Sequence, residues 1–430
     1  MNLKSKESNC FSFQLFYFFN HFITIVKILS LMLNELLRFK IFLFLNGVNM
    51  VYDVNALLNH INRIRKEIGH EEVSIDIKEI LYDKDTNEMW IITNDRPDKS
   101  AIIGKGGWVG GRLREELEIA SIHVESYSDF LQKEYRMELS LNKLNSFVNE
   151  NKDNLDYGAF IALNNLIDIL KIKLENLYSF NFYKYFKDLD EGPYGYFESE
   201  QPTAIVALSG GTDSSFSLIL AKKLGFNPIA ITVDPGTIVL PKQFKHNIDK
   251  LVSELDVPHE YIQVDYADLI EESFTGRFHP CGRCSKIIED TLYKYALEND
   301  IPIVIFGDML ATGSQCITEQ ICNFDENEVK INENSENESS DVDKEVNNSI
   351  IIRLNLPASL SVSKLENKSL TSHYNLIKFK GFGCPLLYEV HKKFPHMKKY
   401  SIQRILRETR SGVLEPGEAL DLIWSFYNTD

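Results

Sequence analysis

The stretch Ala204-Ile-Val-Ala-Leu-Ser-Gly-Gly-Thr-Asp-Ser-Ser-Phe-Ser-Leu-Ile-Leu220 decides the fold. Five uninterrupted apolar residues, Ala204 to Leu208, make a strand buried on both faces, and the helical pattern that resumes at Ser214 makes an amphipathic helix. Between them, Gly210 and Gly211 let backbone amides approach an anion closely. The helix N-terminus adds unpaired N–H groups and a favourable dipole. Ser209, Thr212, Ser214 and Ser215 supply hydroxyls, so the turn suits a phosphate chain. No Gly-Lys-Ser/Thr follows, which excludes the Walker-type loop that grips a γ-phosphate.

Outward from this turn, apolar runs alternate with helical patterns from Thr203 to Phe306: Pro228 to Val233, Gln243 to Leu255, His259 to Val264, Ser285 to Glu298 and Ile303 to Phe306. That alternation predicts a parallel sheet with crossover helices, an α/β domain of Rossmann-like type. Strand ends at Val233-Asp234 and at Gly307-Asp308 fall on the same edge as the glycine turn, where ligands of such sheets bind. Asp308 suits a magnesium or substrate contact, or a helix N-cap.

Ser-Gly-Gly-x-Asp-Ser resembles the signature of the PP-loop, or N-type ATP pyrophosphatase, superfamily. The resemblance implies that Ser209 to Ser215 hold the pyrophosphate leaving ATP during adenylation, that Asp213 is the acid associated with Mg2+, and that Val233 and Asp234 receive the nucleotide base. Asp213, from this resemblance, and Asp308, from its place at the strand end, are the candidate catalytic acids.

The chain holds six cysteines in 430 residues, too few for a disulfide scaffold. His279-Pro-Cys-Gly-Arg-Cys284 places two thiols in reach of one metal, and Cys384 lies about a hundred residues on in Gly-Phe-Gly-Cys-Pro. Three cysteines leave one coordination position open for chemistry, whether the metal is iron or zinc. Within a PP-loop domain this set, over roughly residues 200 to 395, resembles the cluster-dependent tRNA thiolation enzymes. That resemblance implies a 4Fe-4S cluster on Cys281, Cys284 and Cys384, with Cys284 and Cys384 taking part in catalysis; zinc is the alternative. Cys316 and Cys322 are alternative ligands. The extra C-x-x-C pairs carried by several such enzymes at their ends are absent.

Before this domain, helical spacing over Val51 to Lys66, an alternating strand over Val73 to Ile80 and a second over Met89 to Thr93 make a small α+β unit, residues 50–126. Its Ile102-Ile-Gly-Lys-Gly-Gly107 resembles the G-x-x-G loop of KH nucleic-acid-binding domains, which implies RNA contacts from Gly104, Lys105, Gly106, Gly107, Arg112 and Arg114. Residues 127–198 read as a helical connector closed by the turn Asp190-Glu-Gly-Pro-Tyr-Gly195, residues 199–400 as the PP-loop domain, and 401–430 as a helical end bearing Arg404, Arg407 and Arg410. Within 323–348 Glu, Asp, Asn and Ser dominate, which predicts a solvated, disordered insertion. Gly381 to Pro395 reads as a turn-rich segment.

Residues 1–49 are strongly apolar yet interrupted by charge, short of the roughly 18 to 20 apolar residues of a membrane span. They fit a start placed too early with Met50 the initiator, a membrane anchor, or a buried helical extension. The formal charge of −16 excludes nucleic-acid binding by bulk attraction, so any such contact is local. Together these features predict a cytoplasmic, ATP-dependent tRNA sulfurtransferase that uses ATP, Mg2+ and a cluster, with tRNA, a sulfur donor (sulfide or a sulfur-carrier protein) and a homodimer mate as partners. The competing expectations are an amidating or ligating PP-loop enzyme with zinc, and a non-catalytic nucleotide- and RNA-binding protein.

Overall fold

The computed structural model describes residues 53–84, 86–178, 180–188, 201–310, 315–325, 328–332, 348–377 and 381–427. The expectations for residues 1–49, for the turn Asp190–Gly195 and for the centre of the acidic stretch lie outside these. The contacts divide into two compact units, residues 1–129 and 130–430.

The first unit is built of α1 (Val54–Glu67), β1 (Ile77–Asp83), β2 (Glu88–Thr93), α2 (Arg96–Ile103), α3 (Trp108–Glu116) and β3 (Ser121–Ser126). Its three-stranded sheet has the order β1-β2-β3, with β1 antiparallel and β3 parallel to β2. Ile61 and Ile64 of α1, Ile102 of α2, and Val109 and Leu113 of α3 form one core with Met89 and Ile91 of β2, all fully buried. Asp53 caps α1 and Asp95 caps α2, each accepting a backbone N–H of the first turn. The first strand begins at Ile77 rather than Val73.

The second unit opens with helices α4 (Tyr127–Asn151), α5 (Tyr157–Glu175) and α6 (Phe182–Asp188), as the helical spacing predicts. Its α/β part then runs β4 (Ala204–Ala207), α7 (Thr212–Leu224), β5 (Pro228–Asp234), α8 (Lys242–Leu255), β6 (His259–Gln263), α9 (Ala267–Ser273), α10 (Pro280–Glu298) and β7 (Ile303–Phe306). After these come β8 (Ile317–Asp325), β9 (Glu328–Asn332), β10 (Asn348–Asn355), α11 (Leu356–Ser359), α12 (Lys364–Thr371), α13 (Pro385–Lys393), α14 (Lys398–Arg410) and α15 (Pro416–Trp424).

The seven-stranded sheet has the order β6-β5-β4-β7-β10-β8-β9. Five strands are parallel, while β8 pairs antiparallel with β10 and β9 antiparallel with β8. Successive residues of β4 and β7 face opposite sides: Ala204, Val206, Ile303 and Ile305 join one core, and Ile205, Val304 and Phe306 the other. Helices α5 and α7 pack the first face, and α10, through Leu292, Tyr293 and Ala296, packs the second. Each fully buried Ile or Leu on these faces contributes about 1.5–3 kcal/mol.

Two expectations change here. The acidic stretch 323–348 is not irregular throughout, because its first residues extend β8 and then return as β9 across an antiparallel pair at the sheet edge. Edge strands tolerate charged, poorly burying residues, which composition alone reads as disorder. The segment after Cys384 is a helix, with proline at its first turn, where the missing N–H costs nothing.

Candidate functional site

The chain passes from β4 outward through β5 to β6, then returns to β7 on the other side of β4. Parallel sheets open a crevice at such a reversal, beyond the carboxyl ends of the two diverging strands. Ser209–Gly211 leaves β4 there, and Gly307-Asp308 leaves β7 beside it.

The loop is tightly shaped. Gly210 has φ 73°, and a Cβ on it would stand 2.5 Å from the carbonyl oxygen of Phe244 in α8. Only glycine fits. The Ser209 amide donates to Ser214 Oγ at 3.1 Å, the two hydroxyls are 3.0 Å apart, and Ser214 Oγ donates to the Gly211 carbonyl. Asn247 Nδ2 donates to the Gly210 carbonyl at 3.4 Å and to Ile377 O at 3.0 Å, while Asn247 Oδ1 accepts the Ile377 amide. This buried asparagine thus fixes the loop to the segment that leads towards Cys384.

Gly211 caps α7 without a side chain, leaving the first amides of the helix for a ligand. Ser215 Oγ is fully buried with no partner among the described residues. A hydroxyl left unpaired costs about 1–3 kcal/mol, and an incoming phosphate oxygen would satisfy it. The residues present therefore fit the polyphosphate of a nucleotide.

Asp213 lies in the first turn of α7. Its carboxylate accepts Nζ of Lys364 and, at 2.9 Å, Nδ2 of Asn367, both from α12. Helix α12 is held by a capping box between Ser363 and Glu366, and Glu366 pairs with the buried Lys173 of α5. A Cβ on Gly307 would meet the Asp213–Ser214 backbone at 3.0 Å, so the end of β7 presses directly on the loop. Asp308 pairs with Arg353 of β10 at 2.7 Å; Arg353 also binds Glu289 at 3.0 Å and lies over the Phe306 ring.

At the end of β5, Val233 is half-buried, and Asp234 is buried and accepts Lys245, Gln263 at 2.8 Å and the Gly236 amide at 3.0 Å. Burial opposes ionisation there, but the hydrogen bonds from Lys245 and Gln263 prevail and keep the carboxylate below the usual range. Its visible work is to shape the turn Asp234-Pro235-Gly236.

Cys281 and Cys284 occupy the first turn of α10, which begins at Pro280, earlier than the helical periodicity indicates. A crossover helix runs opposite to the strands it joins, so this N-terminus lies at the carboxyl edge of the sheet. Cys384 is the N-cap of α13, whose Leu386 amide donates to Ile238 in the loop after β5. Cys284 and Cys384 share one hydrophobic cluster with Tyr266, Leu269 and Val390, and Tyr266 Oη lies 3.5 Å from Cys284 Sγ. Burial, aided by Cys384 and Cys284 and opposed by Arg404, pushes the Cys281 thiol up to about 12. Burial likewise raises Cys284, with Cys384 adding to it, and Cys384.

The chemistry of the donors fits a thiophilic metal or cluster: three thiols in one neighbourhood, two of them raised by a neighbouring sulfur. Their spacing is not that of a coordination shell, since among the described residues no three His, Cys, Asp or Glu groups are gathered closely enough to hold a metal ion. Cys316 and Cys322 are fully buried in two other cores, which accounts for both as packing residues. All five described cysteines are free.

In the first unit, Gly104–Gly107 joins α2 to α3, and Gly104, Gly106 and Gly107 all have positive φ. Lys105 and Arg114 are exposed. Arg112 is engaged with Glu116 at 2.7 Å, within a network that includes His60 and Arg63. Hydrogen bonds from Arg112, His60 and Arg63 hold the Glu116 carboxyl down at about 2. Trp108, directly after the loop, is 64% exposed. A single tryptophan gives no periodic signal in the sequence, and only the structure shows that it faces solvent.

Comparisons with known proteins give this geometry a setting. No family model matches the chain. The phosphate loop on a Rossmann-like sheet resembles a PP-loop domain. The chain belongs to one family with the uncharacterized protein MJ1638 of Methanocaldococcus jannaschii, to which it is 31% identical over 231 residues, 53% of this chain and 76% of that one. It is also similar to the tRNA-specific 2-thiouridylase MnmA 2 of Clostridium botulinum, 29% identical over 133 residues, 27% of this chain; the chain spans about a third of that enzyme, 35%. Among solved structures, NMN synthetase from Francisella tularensis overlaps with a TM-score of 0.30 at 16% identity, covering 53% of this chain and 85% of that one. The U34-tRNA thiolase NcsA from Methanococcus maripaludis with its 4Fe-4S cluster overlaps with a TM-score of 0.28 at 14% identity, covering 53% and 72%. Overlaps this slight do not bear on activity. Among the described residues no helix is long and apolar enough to cross a membrane.

Proposed function

We propose that this protein is an ATP-dependent tRNA sulfurtransferase that adenylates a base carbonyl and replaces its oxygen with sulfur. The observation that carries the proposal is the placement of three neighbouring thiols, Cys281, Cys284 and Cys384, on the carboxyl edge of the same sheet that presents the phosphate loop. The partial similarity to 2-thiouridylases supports the same chemistry.

In this account Ser209–Ser215 holds the polyphosphate of ATP. Asp213, with Lys364 and Asn367 beside it, is the acid assigned to Mg2+, and Asp308 is the second acid of the crevice. Val233 and Asp234 border the place of the nucleotide base. The carbonyl oxygen of the tRNA base attacks the α-phosphorus, the bond to pyrophosphate breaks, and the loop amides stabilise the departing anion. Sulfide then adds at the activated carbon, AMP leaves with the former carbonyl oxygen, and a thiocarbonyl remains. Cys281, Cys284 and Cys384 would hold a 4Fe-4S cluster, which, when bound, offers an iron with an open position for sulfide.

The first unit is assigned to RNA. Its three positive-φ glycines turn the backbone sharply between two helices with Gly106 exposed, Lys105 and Arg114 add charge, and exposed Trp108 adds a stacking face. Arg112 serves mainly to hold Glu116. The whole machine would work in the cytosol, with sulfide or a sulfur-carrier protein as donor.

Mass spectrometry of tRNA nucleosides from a deletion strain tests the proposal. One thionucleoside disappears and returns with the wild-type gene but not with Cys384→Ala; an unchanged nucleoside profile overturns it.

A further inference from the structure

A cavity of about 690 Å3 opens beside Cys281, outside the phosphate crevice already described. Its volume falls within the ~300–1,000 Å3 typical of small-ligand sites. Helix α14 supplies Arg404, Arg407 and Arg410 to its wall, three and six residues apart and therefore on neighbouring turns. Tyr400 and Phe382 contribute rings, and Cys281 stands on the opposite element, α10.

The charge of this wall is unusual for the chain. With 62 acidic against 46 basic residues overall, a cavity lined by three arginines and no carboxylate is a local reversal of sign. Arg404 is held by Glu408 at 3.3 Å and lies 5.9 Å from the Phe382 ring centroid. Arg407 is exposed and its guanidinium has no hydrogen-bond or ion-pair partner among the described residues. Tyr400 is 43% exposed, with the His279 ring at 5.7 Å setting its plane. Guanidinium groups bind phosphate in a planar fork, and an exposed ring at the same mouth accepts the face of a base.

We propose that this cavity is a nucleotide subsite for a single-stranded segment of the acceptor RNA, with a backbone phosphate on Arg407 and Arg410 and a base against Tyr400. The site rests on the sulfurtransferase account, because it explains how a strand is led past the thiols in a protein whose overall charge repels RNA. Its phosphate chemistry would also admit a free phosphate ion, and the test separates the two.

The test uses the full chain, a single-stranded pentaribonucleotide containing 4-thiouridine, photocrosslinking and peptide mapping. Crosslinks fall on the peptides carrying Tyr400 and Cys281, and Arg407→Gln reduces them about tenfold, as the loss of one arginine–phosphate contact predicts. Binding to the same probe loses about 0.7 of its log–log salt slope in Arg407→Gln, while Tyr400→Leu weakens binding without changing the slope. Crosslinks confined to the peptide around Gly104–Trp108, or a site blocked by inorganic phosphate and indifferent to Tyr400→Leu, overturn the proposal. Thionucleoside formation on unmodified tRNA is followed in parallel. Crosslinks at the cavity without thionucleoside sink the sulfurtransferase account and leave the subsite standing, whereas thionucleoside without cavity crosslinks sinks the subsite alone.

Discussion

At Ser209–Ser215 the contacts that shape the loop are already made: Gly210 against Phe244, Ser209 against Ser214, the end of β7 against Asp213. At Cys281, Cys284 and Cys384 the groups share a neighbourhood, yet their sulfurs are not in coordination range and burial keeps their protons on. The difference follows from what holds each site. Backbone hydrogen bonds and steric contact finish the nucleotide grip during folding. A metal or cluster bound there would take the place of the thiol protons, so that site is completed by what it binds.

Gly210→Ala is the severest way to break the first half of that contrast. The new methyl meets the Phe244 carbonyl in a left-handed conformation, so ATP-dependent pyrophosphate release falls about 10²–10³-fold, the scale for losing one anion-stabilising donor. Near-normal release would show that the loop is not the grip. Next comes Lys173→Met, which leaves the half-buried Glu366 carboxylate without its cation and loosens α12, the helix that holds Asp213. Urea denaturation should report a loss of roughly 3 kcal/mol, as for other broken buried pairs; an unaltered midpoint would mean that α12 is positioned otherwise.

Cys384→Ser sharpens the contrast from the other side. Iron binding after anaerobic reconstitution is lost, while tRNA-dependent pyrophosphate release stays within about twofold, as expected of sites that do not share partners. Parallel loss of both would mean that the two sites form one unit.

The smallest effect concerns pH. Burial, with His279 and Lys398 adding to it, lowers His391 to about 4 from its ordinary 6.5. The folded state therefore carries this imidazole neutral, and the unfolded state binds the extra proton between those values. Its contribution is complete above pH 6.5 and declines as pH falls towards about 4. The urea midpoint of wild type should fall over that window more steeply than that of His391→Gln; identical slopes would remove His391 from the account.

Much of this was legible in the sequence, for reasons that differ by element. The loop, the parallel strands and the first helix, Val54–Glu67, announce themselves through local patterns, apolar runs and glycine turns, whereas the helix Arg96–Ile103 does not. The partners of Asp213 do not, because Lys364 and Asn367 sit some 150 residues away and meet it only when α12 packs on α7. Arg353 is hidden in the same way: it reads as a lone charge in an apolar strand, and its two carboxylate partners come from α10 and the end of β7. Other misses left a usable signal. His279-Pro280 and Cys384-Pro385 both place proline at a helix start, so α10 and α13 could have been begun there, with the cysteines in the cap and first turn rather than in loops. The antiparallel edge of β8 and β9 was hidden by composition.

The central claim is that ATP cleavage at Ser209–Ser215 and sulfur insertion into RNA belong to one reaction. Full-length protein, reconstituted anaerobically with iron and sulfide, is incubated with unmodified tRNA, Mg2+ and ATP, and pyrophosphate and nucleosides are quantified together. The account predicts AMP, pyrophosphate and a nucleoside with oxygen exchanged for sulfur in equal amounts. ADP and phosphate in place of AMP and pyrophosphate, or pyrophosphate release with no gain of sulfur in the RNA, would contradict it.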